Sequence, residues 1–204
     1  MTRTFAGVGC GSMGRRRSRH AMELGGAEGS CWDIRDDRRR EVADQFGVAT
    51  AAEEDGLFAA APDALFVCVP PTEHEHYIFR AIAAGVPFMV EQPISHRLDR
   101  LDDILAGVKE RRLVCHVSSN QRYSPRVNAL VQALRDTGVG RVLTGLVEIG
   151  EWLPDWHPYE PYTDYYPSWQ SMGGGLDAIC DIDWLRMLFG EVGESRSLCS
   201  RKSS

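Results

Sequence analysis

The chain has 204 residues, 43% of them hydrophobic and 25% charged, with a formal net charge of −6 at pH 7. That is the composition of a soluble globular protein, long enough for one sizeable domain or for one domain and part of another. The negative balance argues against a polyanion-binding role such as nucleic acid binding, and no apolar run is long enough to span a bilayer.

In chain order, β-like runs alternate with helical patterns. The N-terminus runs straight into the strand-like "TFAGV" (4–8) without a signal peptide, which predicts a cytoplasmic protein. A helix follows from about Gly14 to Leu24. "EGSCW" (28–32) is the next strand, and "RDDRRREVADQFG" a helix ending at Gly47. "DALFVCV" (63–69) is continuously apolar, as expected of a strand buried on both faces. Then come a helix from about Glu73 to Ala84, the strand "PFMVE" (87–91), a helix at 98–111 and the strand "LVCHVSS" (113–119). Such alternation predicts an α/β fold with a parallel, doubly wound Rossmann-type sheet over residues 1–119.

The pattern changes near Asn120. "SPRVNALVQALRDTG" (124–138) predicts a helix closed by Gly138, and "RVLTGLVEIGEW" (141–152) a long strand. An aromatic- and proline-rich stretch (153–175) leads to an amphipathic helix at 176–190 closed by Gly190, then a polar tail. Residues 120–204 therefore read as an incomplete α+β domain, because one strand does not make a sheet. Six cysteines (10, 31, 68, 115, 180 and 199) include no Cys-x-x-Cys pair. They read as small reduced core residues, three of them in or beside apolar runs (31, 68 and 115), rather than as a disulfide framework or zinc site. "HEH" (74–76) is no metal site either, since alternate residues of a helix diverge.

Two elements point to a dinucleotide. "GVGCGSMG" holds Gly9, Gly11 and Gly14 in Gly-x-Gly-x-x-Gly spacing, after a strand and at the start of a helix, with Ser12 and Met13 between. Asp33 ends the second strand, 19 residues after Gly14, where an acid accepts hydrogen bonds from the adenosine ribose. The bland alternative is a glycine turn and a surface acid. Asp33 favours NAD, because its charge repels a 2′-phosphate. Arg15, Arg16, Arg17, Arg35 and Arg38 stand nearby and leave NADP open, although such charge runs are more often solvated helix faces.

Three more segments extend the pattern: "CVPPTEHEHYIFRAIAAG", with Pro70 and His74; "FMVEQP", with Glu91 and Gln92; and "VSSNQRYSP", with Asn120, Arg122 and Tyr123. With the glycine loop, they resemble the Gfo/Idh/MocA family of nicotinamide-dependent oxidoreductases, from about Thr4 to Val192. The resemblance implies hydride transfer between NAD(P) and a sugar, cyclitol or sugar-nucleotide-derived substrate. It implies cofactor contacts from Gly9, Gly11, Ser12, Met13, Gly14, Asp33, Arg38, Pro70, His74 and Glu91, and substrate contacts from Asn120, Arg122, Tyr123, Trp156 and His157. His74 reads equally as a helix-start residue without chemistry, and the aromatic loop equally as packing.

The family pattern Glu-Lys-Pro reads Glu91-Gln92-Pro93 here, and the family's Asp and His on one helix face align with Asp177 and Cys180. Gln92 cannot take a proton at pH 7. Cys180 reads as a thiolate candidate or, more simply, as a small apolar helix residue. Family members run well over a hundred residues longer, with a broad second sheet that packs on a partner subunit. The expectations are therefore a homo-oligomer or a missing C-terminal segment, and truncation at Ser204. The alternative function is a catalytically silent or truncated dinucleotide-binding protein: a sensor, a remnant, or half of a split enzyme.

Overall fold

The computed structural model describes residues 2–25, 27–136, 138, 140–158, 160–164, 166–169 and 179–198. The chain divides into two compact units, Met1–Ser118 and Ser119–Ser204.

The first unit is a six-stranded parallel sheet built from β1 (Thr4–Val8), β2 (Glu28–Trp32), β3 (Ala49–Thr50), β4 (Ala64–Val67), β5 (Phe88–Val90) and β6 (Cys115–Val117). The strand order is β3-β2-β1-β4-β5-β6. Helices α1 (Ser12–Gly25), α2 (Asp36–Phe46), α3 (Asp55–Ala59), α4 (Pro71–Ala84) and α5 (Leu101–Arg111) connect the strands. The order is that of the Rossmann fold, as the alternation predicted. The winding reverses between β1 and β4, where α/β proteins open a ligand crevice.

The strand sequences are apolar because both faces are covered. Ala6, Val8, Leu65, Val67, Phe88 and Val90 pack with Ile78, Ala81 and Ile104 from α4 and α5. Phe5, Cys10, Cys31, Val42 and Val48 form a smaller cluster towards α2. The helices begin and end where local chemistry dictates. Pro71 opens α4 at a position where its missing N–H costs nothing. Gly47 and Gly85 close α2 and α4 with φ of 68° and 71°, in the left-handed region.

Two elements escape the sequence reading: β3, two residues long, and α3, five residues long. Both are too short for periodicity to register. Cys115 corrects another expectation, since it is exposed, whereas Cys10 and Cys31 are buried.

Among the described residues, the second unit holds a 3-10 turn at Asn120–Tyr123, α6 (Pro125–Asp136), three further 3-10 turns and α7 (Ile179–Phe189). The strand expected at 141–152 is not formed; the segment pairs with no other strand among the described residues, and its residues are exposed or, towards its end, still uncovered. Apolar, β-prone sequence alone does not make a strand: the ladder needs a neighbour to accept its hydrogen bonds. Among the described residues the second unit holds helices and 3-10 turns and no strand. Residues 176–178 of the predicted last helix lie outside the described residues.

Candidate functional site

The register places the ends of five strands in one row. Val8 pairs with Trp32 and Val67, Val67 with Val90, and Val90 with Val117. The ladder continues one residue further. Gly9 N–H donates to Trp32 O (2.9 Å), Cys68 N–H to Val8 O (2.8 Å), Glu91 N–H to Val67 O (3.1 Å) and Ser118 N–H to Val90 O (2.8 Å). Asp33, Gly9, Cys68, Glu91 and Ser118 therefore form the rim from which the connecting loops emerge.

The three loop glycines differ in what surrounds them. Gly9 has φ of 86°, and a Cβ there would lie 2.5 Å from the Cys68 carbonyl oxygen. A Cβ on Gly14 would overlap the Gly9 carbonyl oxygen. These two let β1, α1 and β4 approach one another. Gly11 differs: the nearest atom to a Cβ there is Arg38 Nη1 at 3.7 Å, so no protein atom requires a glycine. The space in front of Gly11 is a cradle that a side chain would fill. The first helical hydrogen bond of α1 runs from Arg15 N–H to Gly11 O (2.9 Å), so the amides of Ser12, Met13 and Gly14 precede the helical ladder. Amides at a helix N-terminus, with its dipole, attract an anion.

Asp33 is buried. Its Oδ2 accepts from Cys10 N–H (2.6 Å) and its Oδ1 from Arg35 N–H (2.8 Å). The arginines considered for a 2′-phosphate are mostly committed elsewhere. Arg15 pairs with Glu41, Arg17 Nε donates to Glu91 Oε1 (2.7 Å), and Arg35 pairs with Asp37 (2.6 Å), whose pKa it lowers to about 2. Arg39 Nη1 donates to Asp33 O (2.8 Å). Arg38 stands beside the Gly11 cradle. A dinucleotide fits this set: amides and an open glycine for a pyrophosphate, and a rim carboxylate for a ribose.

Some predicted residues prove to be placed otherwise. His74 is fully buried, with Nδ1 2.8 Å from Pro93 O and Nε2 2.8 Å from Val69 O, so its ring is not presented to a ligand. The Glu91 carboxylate is taken by Arg17, which also reaches Ser118 Oγ. Pro70 caps α4, and Gln92 follows Glu91 at the rim with its Oε1 buried. In the second unit, Asn120 and Tyr123 are exposed on the 3-10 turn. Arg122 is bound by Asp183 through Nε and Nη2, both at 2.7 Å, and this holds the Asp183 pKa below the usual carboxylate value. Trp156 is exposed, His157 half-buried, and Cys180 half-buried in the first turn of α7. Asp177 lies outside the described residues. Among the described residues, no cluster of three or more His, Cys, Asp or Glu is arranged to hold a metal, and no helix is long and apolar enough to cross a membrane.

Sequence reasoning missed Arg17, Ser118 and Asp183 as organisers. Arg17 and Glu91 stand 74 residues apart, and Arg122 and Asp183 stand 61 apart. No local pattern joins such pairs, although an acid one residue beyond a strand end does invite a search for its cation.

The fold and rim define a nicotinamide-dinucleotide-binding Rossmann domain. Residues 3–119 match the model of the Gfo/Idh/MocA family, described as an oxidoreductase family with an NAD-binding Rossmann fold. The chain belongs to that family. It is 33% identical over 123 residues to a myo-inositol dehydrogenase of Streptomyces leeuwenhoekii, covering 60% of this chain and 38% of the relative. A D-apiose dehydrogenase of Paraburkholderia graminis is 24% identical over 200 residues, which is 97% of this chain and 52% of that one. In fold it is similar to the crystal structure of myo-inositol 2-dehydrogenase from Lactobacillus plantarum, with a TM-score of 0.79 and 18% identity, covering 93% of this chain and 57% of that one. The chain spans about half the length, or less, of the curated relatives it matches.

Proposed function

We propose that this chain carries the dinucleotide-binding half of an oxidoreductase that transfers hydride between NAD and a hydroxyl of a sugar, cyclitol or sugar-nucleotide-derived substrate. The observation that carries the reading is the Gly11 cradle beside Asp33: a glycine that no protein neighbour demands, next to a buried carboxylate held at the rim by two backbone N–H groups. The relatives, dehydrogenases of inositols, apiose and a UDP-sugar, favour an oxidoreductase over a silent binding protein.

Bound NAD supplies the hydride acceptor. In this reading the amides of residues 12–14 would hold its pyrophosphate and Asp33 its ribose hydroxyls. Asp33 favours NAD over NADP by charge, and Arg38 is the group that would accommodate a 2′-phosphate. Gln92, at the position the family gives to lysine, orients a hydroxyl or carboxamide by hydrogen bonding and takes no proton. Asn120, Tyr123, Trp156 and His157 offer the hydrogen-bonding and aromatic groups that suit a polyhydroxylated ring. Arg122, committed to Asp183, shapes the turn that carries Asn120 and Tyr123. Asp177 and Cys180 stand at the family's proton-handling positions. Assembly into a homo-oligomer belongs to the same proposal.

Titration with NADH, followed by its fluorescence or by calorimetry, tests the reading. NADH binds the unmodified chain, and Gly11→Val abolishes the binding without unfolding the domain. Binding that survives Gly11→Val would remove the site assignment, and tighter binding of NADPH would reverse the preference.

A further inference from the structure

Gln92 leaves the sheet between two anchors. On one side, Glu91 is held by Arg17 of α1, in an ion pair with both side chains 16% exposed. On the other, the carbonyl of Pro93 faces Nδ1 of His74 at 2.8 Å. The neighbour of His74 on α4, Glu75, grips the same loop further along: it accepts from Ser95 Oγ (2.5 Å) and from Arg97 Nη2 (3.0 Å). The Ser95 hydroxyl in turn accepts from Arg97 N–H (2.9 Å). The other nitrogen of His74 faces Val69 O at 2.8 Å, in the loop that leaves β4. One fully buried imidazole thus touches the backbone of both loops that emerge beside the crevice on the β4–β5 side.

We propose that His74 is a positioning residue: its Nδ1–H donates to Pro93 O, fixes the loop after β5, and so sets where the Gln92 side chain meets substrate. This rests on the oxidoreductase reading above. A neutral imidazole has one N–H, a protonated one has two. Burial is the largest influence on the ring and lowers its pKa, while the two carbonyls and Glu91 act in the opposite sense and His96 with the burial. A protonated ring makes both bonds and a neutral ring one; the bond to Pro93 is the one that governs position 92. His74 touches neither substrate nor cofactor; it acts through the backbone of residues 92–94.

Asparagine and glutamine separate the two bonds. The amide nitrogen of His74→Asn reaches about as far as Nδ1, and that of His74→Gln about as far as Nε2. Hydrogen exchange of the intact chain is the readout. His74→Gln speeds exchange of the amides of Gln92 and residues 94–97 by roughly three- to tenfold, the effect of losing one hydrogen bond. His74→Asn restores the slow exchange. A folded His74→Gln chain with unchanged exchange over this loop overturns the proposal, as does failure of His74→Asn to restore it. If both variants fail to fold, nitrogen-15 NMR of the unmodified ring decides: a slowly exchanging proton on Nδ1 supports the proposal, and a bare Nδ1 overturns it. NADH titration of the unmodified chain is run alongside. Its failure removes the oxidoreductase reading and leaves the exchange result standing.

Discussion

Cys10 donates its backbone N–H to Asp33 Oδ2 at 2.6 Å, which ties the first glycine turn to the end of the neighbouring strand. The carboxylate proposed to receive the ribose is also the group that holds the phosphate loop in place. Binding and loop order are therefore coupled through one side chain. Asp33→Asn keeps the shape but turns an N–H towards one of the two backbone donors. The expected cost is about 1–3 kcal/mol of stability, together with weaker NADH binding. Chemical denaturation and NADH titration of the same sample measure the two losses. A variant as stable as the parent would show that the 2.6 Å contact carries no weight.

The loop glycines separate folding from binding. Gly14→Ala forces a Cβ into the Gly9 carbonyl oxygen, so the chain should fail to fold or lose several kcal/mol, as overpacked sites do. Gly11→Ala meets nothing closer than 3.7 Å and should leave the thermal transition near that of the parent. It should nevertheless weaken NADH binding by tenfold or more, about 1.4 kcal/mol or above. Equal loss of stability in both variants would contradict this division of labour.

The first unit was legible in the sequence for a physical reason. A parallel strand covered on both faces reads as an apolar run, and "ALFV" at β4 and "TFAGV" at β1 are such runs. The glycine turn and Asp33 were legible because their spacing is set by one βαβ unit. The tertiary anchors were not. Nothing local to His74 tells that its ring lies between Val69 O and Pro93 O rather than against a ligand. Residues 141–152 misled for the opposite reason: their β propensity is real, but pairing is a property of two segments, and a single segment does not reveal the absence of the other.

The Arg122–Asp183 pair predicts an acid-sensitive second unit. Arg122 lowers the Asp183 pKa in the folded state, against a smaller opposing effect of burial. A depressed carboxylate pKa stabilises the fold above the unfolded value, about 3.9, and that contribution is lost as pH falls through the lower folded value. Arg122→Ala should remove this pH dependence. The coupling in a double-mutant cycle with Asp183→Asn should be about 1 kcal/mol, near the upper end for partly exposed pairs. Trp184, whose Nε1 donates to Asp181 Oδ1 at 3.0 Å on α7, gives a local fluorescence probe once the other tryptophans (32, 152, 156 and 169) are replaced by phenylalanine. A flat profile between pH 5 and pH 3, at roughly those limits, would show that the pair contributes nothing.

Residues 141–152 expose Leu143 at 79% and Leu146 at 84%, without a ladder to slow exchange of their amides. Their amides should exchange within the fastest class, while those of β1 and β4 exchange slowest. Leu143→Glu with Leu146→Glu should reduce light scattering at high concentration, because exposed apolar segments promote association. Protection over 141–150 equal to that of β4 would mean that these residues are paired in solution.

Gln92 sets the last expectation. It follows a strand end and is flanked by the Arg17–Glu91 pair and by the His74–Pro93 contact, so a replacement there inherits a defined position. Alcohol oxidation needs a group to take the hydroxyl proton as hydride leaves, and an amide does not serve. Lysine at this position has its pKa lowered by burial, since Gln92 Oε1 is itself buried, and its neutral form accepts a proton. Glu91, already paired with Arg17, is less able to oppose that shift. Gln92→Lys, alone or with Cys180→His, should raise NAD reduction with myo-inositol as the test substrate by about 100-fold, the usual contribution of a positioned base. The gain should grow with pH as the amine deprotonates. KM should change less than kcat, because the new group acts on the proton in the transition state. A variant that binds NADH as the parent does and gains no turnover at any pH would show that something other than the missing base limits the reaction.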